Sequence, residues 1–435
     1  METVRVVVMG FGTVGAGVVK LLVEEAELLR EQIGVELQLA AVCDLDTTSD
    51  RGVRVPPELL TSDVDDVLGR DDVDVVVELI GGLEPARSFI LRALGAGKHV
   101  VTANKHLLAT HGRELFAAAL DAGISIGFEA SVCGGMPIIS ALRDGLVANR
   151  IGEIAGIVNG TSNYILTRMS SAGVTYDQAL SEAQAAGFAE ADPTFDVEGH
   201  DSAHKLAVLS ALAFGEVPEL DSLHVEGISG IEPDDVSYAR ELGYTLKLLA
   251  IGRARGGGGV ELRVHPALVP SGDMLAAVSG PMNAVRLVGD AVGPVVLYGQ
   301  GAGRMPTASA VISDLAAVAT GAAERKFARM RFVRNGGSGF EVVGREDVET
   351  RYFVRFMVRD EVRVLGRIAM ALGEHNVSID MCLQKEKKPD GSVPVVLMTH
   401  TARERDLLRA VAEIDGAEFV TQPTRFIRVE DGVES

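Results

Sequence analysis

Val4-Arg-Val-Val-Val-Met9-Gly10-Phe-Gly12-Thr13-Val14-Gly15 is the stretch that decides the fold. A run of β-branched residues predicts a strand, glycines punctuate a turn, and an apolar helical pattern starts at Val14. A Gly-x-Gly-x-x-Gly sequence carries weight only in this strand–turn–helix setting, where the backbone can approach a pyrophosphate at a helix N-terminus. Gly10, Gly12, Thr13, Val14 and Gly15 are therefore expected to bind a dinucleotide. The competing reading is a glycine-rich turn without a ligand.

Outward from this turn, strand and helix patterns alternate, which implies parallel βαβ units. Strands are expected at Val4–Met9, Leu37–Cys43, Val73–Ile80, His99–Thr102 and Ile124–Phe128, with helices at Val14–Arg30, Pro85–Ala96 and His106–Ala122. The strands show little alternation, as expected when both faces are covered. Asp44 ends the second strand, where a carboxylate can accept from the adenosine ribose and favour NAD; a turn role is the alternative. Arg51 could instead supply charge for the 2′-phosphate of NADP, so the cofactor is NAD or NADP. Thr102-Ala-Asn-Lys105 falls at the carboxyl edge of the sheet, where ligands bind in such folds. This makes Thr102 and Lys105 candidates for contact with cofactor or substrate, although Lys105 also reads as a surface lysine near a helix start.

From about Gly135 helices predominate: Ser162–Ser171, Tyr176–Ala186 and Asp201–Phe214, with strands at Leu246–Arg253, Val260–His265 and Val295–Tyr298. A helix at Ala302–Thr320 is expected to return to the first domain, and the Arg- and Gly-rich stretch after it reads as a linker. The remainder has the order βαββαβ, which is ferredoxin-like.

Gly187 to Lys205 carries the chemistry. Glu190, Asp192, Asp196, Glu198 and Asp201 lead to Lys205, and the helix that follows is almost wholly apolar, so it should be buried. Asp201 and Lys205 share one helix face. Desolvation favours the neutral form of a buried lysine and suits it to proton transfer. The bland alternative is an ion pair on a solvated face.

With 61 acidic against 41 basic residues, the net charge is −20, which disfavours nucleic acid and anionic membranes as partners. Cys43, Cys133 and Cys382 lie far apart, giving neither a disulfide framework nor a zinc spacing. With no signal-peptide pattern and no apolar run of membrane length, a cytoplasmic protein is expected. His200 and His204 flank Asp201 without a third ligand spacing, so packing or surface roles are expected of them.

Gly10–Gly15, Val77-Glu78-Leu-Ile-Gly-Gly82, Lys98–Lys105, Glu129-Ala-Ser-Val132-Cys-Gly134-Gly-Met136-Pro137, Asn159-Gly-Thr-Ser-Asn163-Tyr, Gly187–Lys205 and Gly301-Ala-Gly303-Arg-Met-Pro306 occur in that order. Together they resemble homoserine dehydrogenase over residues 1 to about 325, and the C-terminal unit is similar to ACT domains. The resemblance implies an α/β chain with an N-terminal Rossmann domain (1–134, completed by 302–325), a mixed α+β substrate-binding and dimerisation domain (135–301), a linker (326–350) and a ferredoxin-like ACT domain (351–430). It also implies NAD(P)-dependent interconversion of L-homoserine and L-aspartate 4-semialdehyde in threonine, methionine and isoleucine biosynthesis. Lys205 is then the acid/base and Lys105 orients the reacting oxygen. Glu190 and Asp201 hold the substrate ammonium, and Gly187, Gly301 and Gly303 approach the cofactor. A monovalent cation, sodium, takes oxygens from Glu129, Val132, Gly134 and Met136. A homodimer or higher homo-oligomer, and threonine as effector at the ACT-like domain, are further implications. A non-catalytic amino-acid sensor on a dehydrogenase scaffold is the alternative reading, against which the joint presence of Lys105, Glu190, Asp201 and Lys205 speaks.

Overall fold

The computed structural model describes residues 3–334, 336 and 339–432. The chain forms two compact units: Met1–Gly160, Asp201–Leu223 and Met282–Phe340 in one, and Thr161–His200, His224–Pro281 and Glu341–Ser435 in the other. Compactness thus divides residues 135–301 between two bodies, although the sequence gives no break in composition at 160, 200 or 223.

The first unit is built on a parallel sheet. Its strands are β1 (Thr3–Met9), β2 (Glu36–Cys43), β3 (Leu60–Thr61), β4 (Val75–Glu78), β5 (His99–Thr102) and β6 (Ile126–Gly127), in the order β3-β2-β1-β4-β5-β6. Val6, Val7, Val8, Val75 and Val100 are wholly buried, as continuous apolar strands covered on both faces require. The order reverses between β1 and β4, which opens a crevice at their carboxyl ends, beside Gly10. The helices are α1 (Thr13–Glu24), α2 (Ala26–Ile33), α3 (Val64–Gly69), α4 (Ala86–Gly95) and α5 (Lys105–Asp121).

The single helix expected over Val14–Arg30 is two. α1 buries residues up to Leu22, whereas α2 buries none, so the apolar face that held the helix to the sheet ends before Glu25. The two-residue β3 is too short to show a period, and α3 after it starts on Asp63, whose side chain accepts from Asp65 N and Asp66 N. A later helix, Arg304–Ala319, returns to this core and inserts Ala308, Val311 and Leu315. It packs on α1 at Gly17, where a Cβ would stand 2.7 Å from the Arg304 carbonyl oxygen. Ile151–Ile157, Met282–Gly289 and Gly293–Gln300 form an antiparallel sheet in the same unit, the middle strand of which the sequence reading lacks.

The second unit holds helices Gly160–Ala172 and Tyr176–Ala185, the latter with a Thr175/Gln178 capping box. Its hairpin Tyr244–Ala254/Gly259–Pro270 extends well beyond the strands expected there. Helix Pro233–Glu241, acid-rich with only three buried residues, lacks the apolar period that would announce it. Strands Glu349–Arg359, Ile379–Gln384, Ser392–Thr399 and Val420–Val429 with helices Val364–Glu374 and Glu404–Asp415 give the expected βαββαβ unit. Val420–Val429 also pairs with Gly259–Pro270, through Ala267 with Arg428 and Leu268 with Val429. Arg428 is buried here between Glu404 and Glu226, and Arg355 between Asp235 and Glu232, so each buried charge has its counter-ion. The segment expected as a linker contains helix Arg331–Arg334 and strand Glu341–Val342, the latter paired with Gly259–Val260.

Candidate active site

Helix His200–Phe214 buries every residue from Asp201 to Ala211, which removes the solvated-face reading of its Asp–Lys pair. Lys205 Nζ donates to Asp201 Oδ2 at 2.7 Å and to the Val158 carbonyl at 2.7 Å. Asn159 Nδ2 donates to the same carboxylate oxygen at 2.9 Å. The other oxygen, Oδ1, lies 3.1 Å from Lys105 Nζ, whose side chain is one-third exposed. One buried carboxylate therefore bridges two ammonium groups. Burial by itself would raise the Asp201 carboxyl, but the charges of Lys205 and Lys105 and the hydrogen bonds from Lys205 and Asn159 hold it well below the usual carboxylate range.

Both Asp201 oxygens are engaged by lysines, so a substrate ammonium would have to share them. The pairing also modifies the argument for Lys205, since the carboxylate opposes the effect of desolvation. Asn159 and Asn283 are the participants that sequence reasoning missed. Asn283 Nδ2 donates to Val158 O at 3.0 Å and fixes the carbonyl that receives Lys205. Asn159 stands in a quoted motif, whereas nothing near Asn283 marks it.

At the nucleotide end the glycines have distinct tasks. A Cβ on Gly10 would lie 2.6 Å from the Leu79 carbonyl, and one on Gly15 would lie 1.9 Å from Gly10 O. A Cβ on Gly12 would meet nothing within 4 Å, so open space faces the start of α1. Gly10 and Gly15 shape the turn, and Gly12, with Thr13 and Val14 in the first turn of the helix, offers the backbone a pyrophosphate would use. The Asp44 carboxylate accepts from Phe11 N at 2.5 Å and Asp46 N at 2.9 Å, so it braces this turn. Arg51 pairs with Asp46 at 2.8 Å, and its carbonyl accepts from Arg304.

Thr102 is wholly buried and its hydroxyl donates to Glu78 Oε2 at 2.6 Å and accepts from Asn104 N, so the cofactor contact expected of it would be made by main chain. Glu78 accepts in addition from Ile80 N and Gly81 N, and Asn104 caps α5 while donating to Gly82 O. These buried polar groups hold the two loops at the carboxyl ends of β4 and β5 together. Gly301 is required by packing, since a Cβ there would strike the Asn283 side chain at 1.9 Å, whereas Gly303 is conformational, with φ at +128°. Gly187 also has positive φ, at +75°. It and the exposed Glu190 belong to the second unit, where Gln184 donates to the Glu190 carbonyl.

In the expected cation loop, both Glu129 carboxylate oxygens are occupied: Oε1 by Ile139 N at 2.8 Å, Oε2 by Ser140 N at 2.9 Å and by the Ser140 hydroxyl. A cation there would have the main-chain oxygens of Glu129, Val132, Gly134 and Met136 to draw on, the last of which accepts from Ile138 N at 2.8 Å. Glu129 N donates to Asp314 Oδ2 at 2.8 Å. Burial, then the Glu129 charge, pushes the Asp314 carboxyl up to about 7. Cys133 is buried with φ +51°, and burial raises its thiol. His204 is buried and stacks on His106, and His200 is exposed. Among the described residues no group of three His, Cys, Asp or Glu is placed to hold a metal ion, and no helix is long and apolar enough to cross a membrane.

A doubly wound sheet with a glycine turn at its crevice, and two lysines sharing one buried carboxylate, defines an NAD-binding oxidoreductase. Three family models match in succession: the homoserine dehydrogenase NAD-binding domain over residues 10–129, homoserine dehydrogenase over 137–316, and the ACT domain over 352–419. Homoserine dehydrogenases of Neisseria gonorrhoeae and Pseudomonas aeruginosa are 42% and 44% identical, each over 99% of both chains. A solved homoserine dehydrogenase from Thiobacillus denitrificans superimposes with a TM-score of 0.92 at 45% identity, covering 99% of both chains. The chain belongs to the homoserine dehydrogenase family, and the relatives matched over their whole length are named as enzymes, which leaves the sensor alternative without support.

Proposed function

We propose that the protein interconverts L-homoserine and L-aspartate 4-semialdehyde, with Lys205 Nζ moving the proton on and off the oxygen of the substrate's terminal carbon. The observation that carries this reading is the buried Asp201 carboxylate bridging Lys205 and Lys105. A nicotinamide, when bound, would supply the hydride chemistry. Lys205, held by Asp201 and Val158 O, is the acid/base, and Lys105, the more exposed of the two, orients the reacting oxygen. The substrate ammonium is assigned to Glu190 on family resemblance alone, as an acceptor-only group. Gly10, Gly12, Thr13, Val14 and Gly15 cradle the pyrophosphate, with Gly187, Gly301, Gly303 and the main chain of Thr102 near the nucleotide. A solved archaeal homoserine dehydrogenase mutant, 28% identical, is in complex with NADPH, which supports a nicotinamide cofactor here. Arg51 is the basic group that would favour NADP and Asp44 the one that would favour NAD.

Sodium bound by main-chain oxygens of Glu129, Val132, Gly134 and Met136, a homodimer, a cytoplasmic place in threonine, methionine and isoleucine biosynthesis, and threonine as effector of the ACT domain complete the reading. Initial-rate oxidation of L-homoserine, run in parallel with NAD and NADP, tests it. Turnover with either supports the reaction, and silence with both from protein that binds nucleotide refutes it. A calorimetric titration with threonine that shows neither heat nor altered kinetics would remove the effector.

A further inference from the structure

His106 follows Lys105 and His204 precedes Lys205. Their rings stack with centroids 4.6 Å apart and planes inclined by 17°. Lys105 and His106 are the first two residues of α5, and His204 lies in the early turns of helix His200–Phe214. The stack thus joins two helix starts at the junction that the Lys105–Asp201 contact also crosses.

The two contacts are mechanically unlike. A lysine reaches its partner through a flexible four-carbon stem, so the Lys105–Asp201 bond tolerates a range of helix separations. A flat ring pair held close to its backbones does not, because the rings must stay in van der Waals contact. His204 is 8% exposed, so its position is set by packing. Lys105 and His111 on α5 act on the His106 ring by charge, and on the facing helix Asp201 and Lys205 flank His204 in sequence. Burial, then Lys105 and His111, disfavours the charged form of His106, which suits a ring beside the Lys105 ammonium.

We propose that the His106–His204 stack is a positioning device: it sets the separation of the two helix starts, and with it where Lys105 Nζ stands relative to Lys205, a placement that the flexible Lys105–Asp201 contact alone would leave loose. The proposal rests on the acid/base reading of Lys205, and His106 and His204 touch neither substrate nor cofactor in it. The ring, not the imidazole nitrogens, is the operative part.

The experiment uses the full chain, with steady-state oxidation of homoserine and nucleotide binding measured on His106→Ala, His106→Phe and His204→Phe. His106→Ala should lower kcat about tenfold, on the scale of a sub-ångström misplacement of a catalytic group, with nucleotide affinity within about twofold of wild type. Both Phe variants, which keep a ring in place, should stay within about twofold of wild-type kcat. An Ala variant at wild-type kcat, or Phe variants as slow as Ala, overturns the proposal. Should His106→Ala fail to fold, His204→Phe still decides, because a tenfold fall there contradicts a role for the ring alone. Lys205→Ala separates the two readings: if it stays active, the acid/base assignment has failed, whatever the histidine variants do.

Discussion

Asp201→Asn is the substitution on which the site reading depends most directly. The carboxylate stands 2.7 Å from Lys205 Nζ and 3.1 Å from Lys105 Nζ, and its residue is 3% exposed. At an effective dielectric near 20, the contacts are attractions of about 6 kcal/mol for Lys205 and about 5 kcal/mol for Lys105, largely offset by the desolvation of the charges. What an isosteric amide removes is the net charge, and stripping one partner from a buried ion pair typically costs about 3–5 kcal/mol. Chemical denaturation of wild type and variant should therefore differ by about 3 kcal/mol or more near neutral pH. The kinetic consequence separates the two roles considered for Asp201. If it holds the lysines, kcat should fall by about a hundredfold or more, the scale of a misplaced general acid/base. If it held the substrate ammonium, the loss would appear mainly in KM for homoserine. Steady-state kinetics against both substrates reads this directly. A variant with wild-type kcat and only a raised KM would refute the bridging role, however the stability changed.

Lys205→Ala should lose most of kcat while nucleotide affinity, measured by fluorescence titration, stays near wild type; loss of nucleotide binding instead would make Lys205 structural. Gly12→Ala and Gly15→Ala should part company. The first, with open space around its Cβ, should fold normally and bind nucleotide weakly, whereas the second places a Cβ 1.9 Å from Gly10 O and should lower the melting temperature. Asp314 gives a pH signature. Its folded-state pKa, about 7, lies above the ordinary carboxyl value of 3.8, so the native state binds the extra proton and its stabilising effect is full below pH 3.8 and lost as pH rises through 7. Asp314→Asn keeps an acceptor for Glu129 N, and relative to wild type it should gain stability between those limits, by up to about 4 kcal/mol above pH 7. Parallel denaturation curves at pH 5 and pH 8 that show no difference would dismiss this.

Much of the site was legible because its signals are local. The β1 run, the glycine spacing at Gly10–Gly15 and the Asp201/Lys205 interval each lie within a few residues, and each was found where expected. The apolar composition around Lys205 announced its burial, since a helix without a polar face has no side to turn to water. Elements without a period, such as β3 and helix Pro233–Glu241, left no such trace.

The sequence by itself determined the opening strand and nucleotide turn, the C-terminal βαββαβ order and the two lysines, because periodicity and glycine placement are properties of neighbouring residues. Tertiary structure decided what those groups touch. Asn159 reaches Asp201 across 42 residues, Asn283 reaches Val158 across 125, and Glu129 meets Asp314 across 185. It also gave the Thr102 hydroxyl to Glu78 and the Glu129 carboxylate to the backbone at Ile139 and Ser140. A buried polar group must find a partner from whichever segment packs against it, and which segment that is depends on the folded chain as a whole.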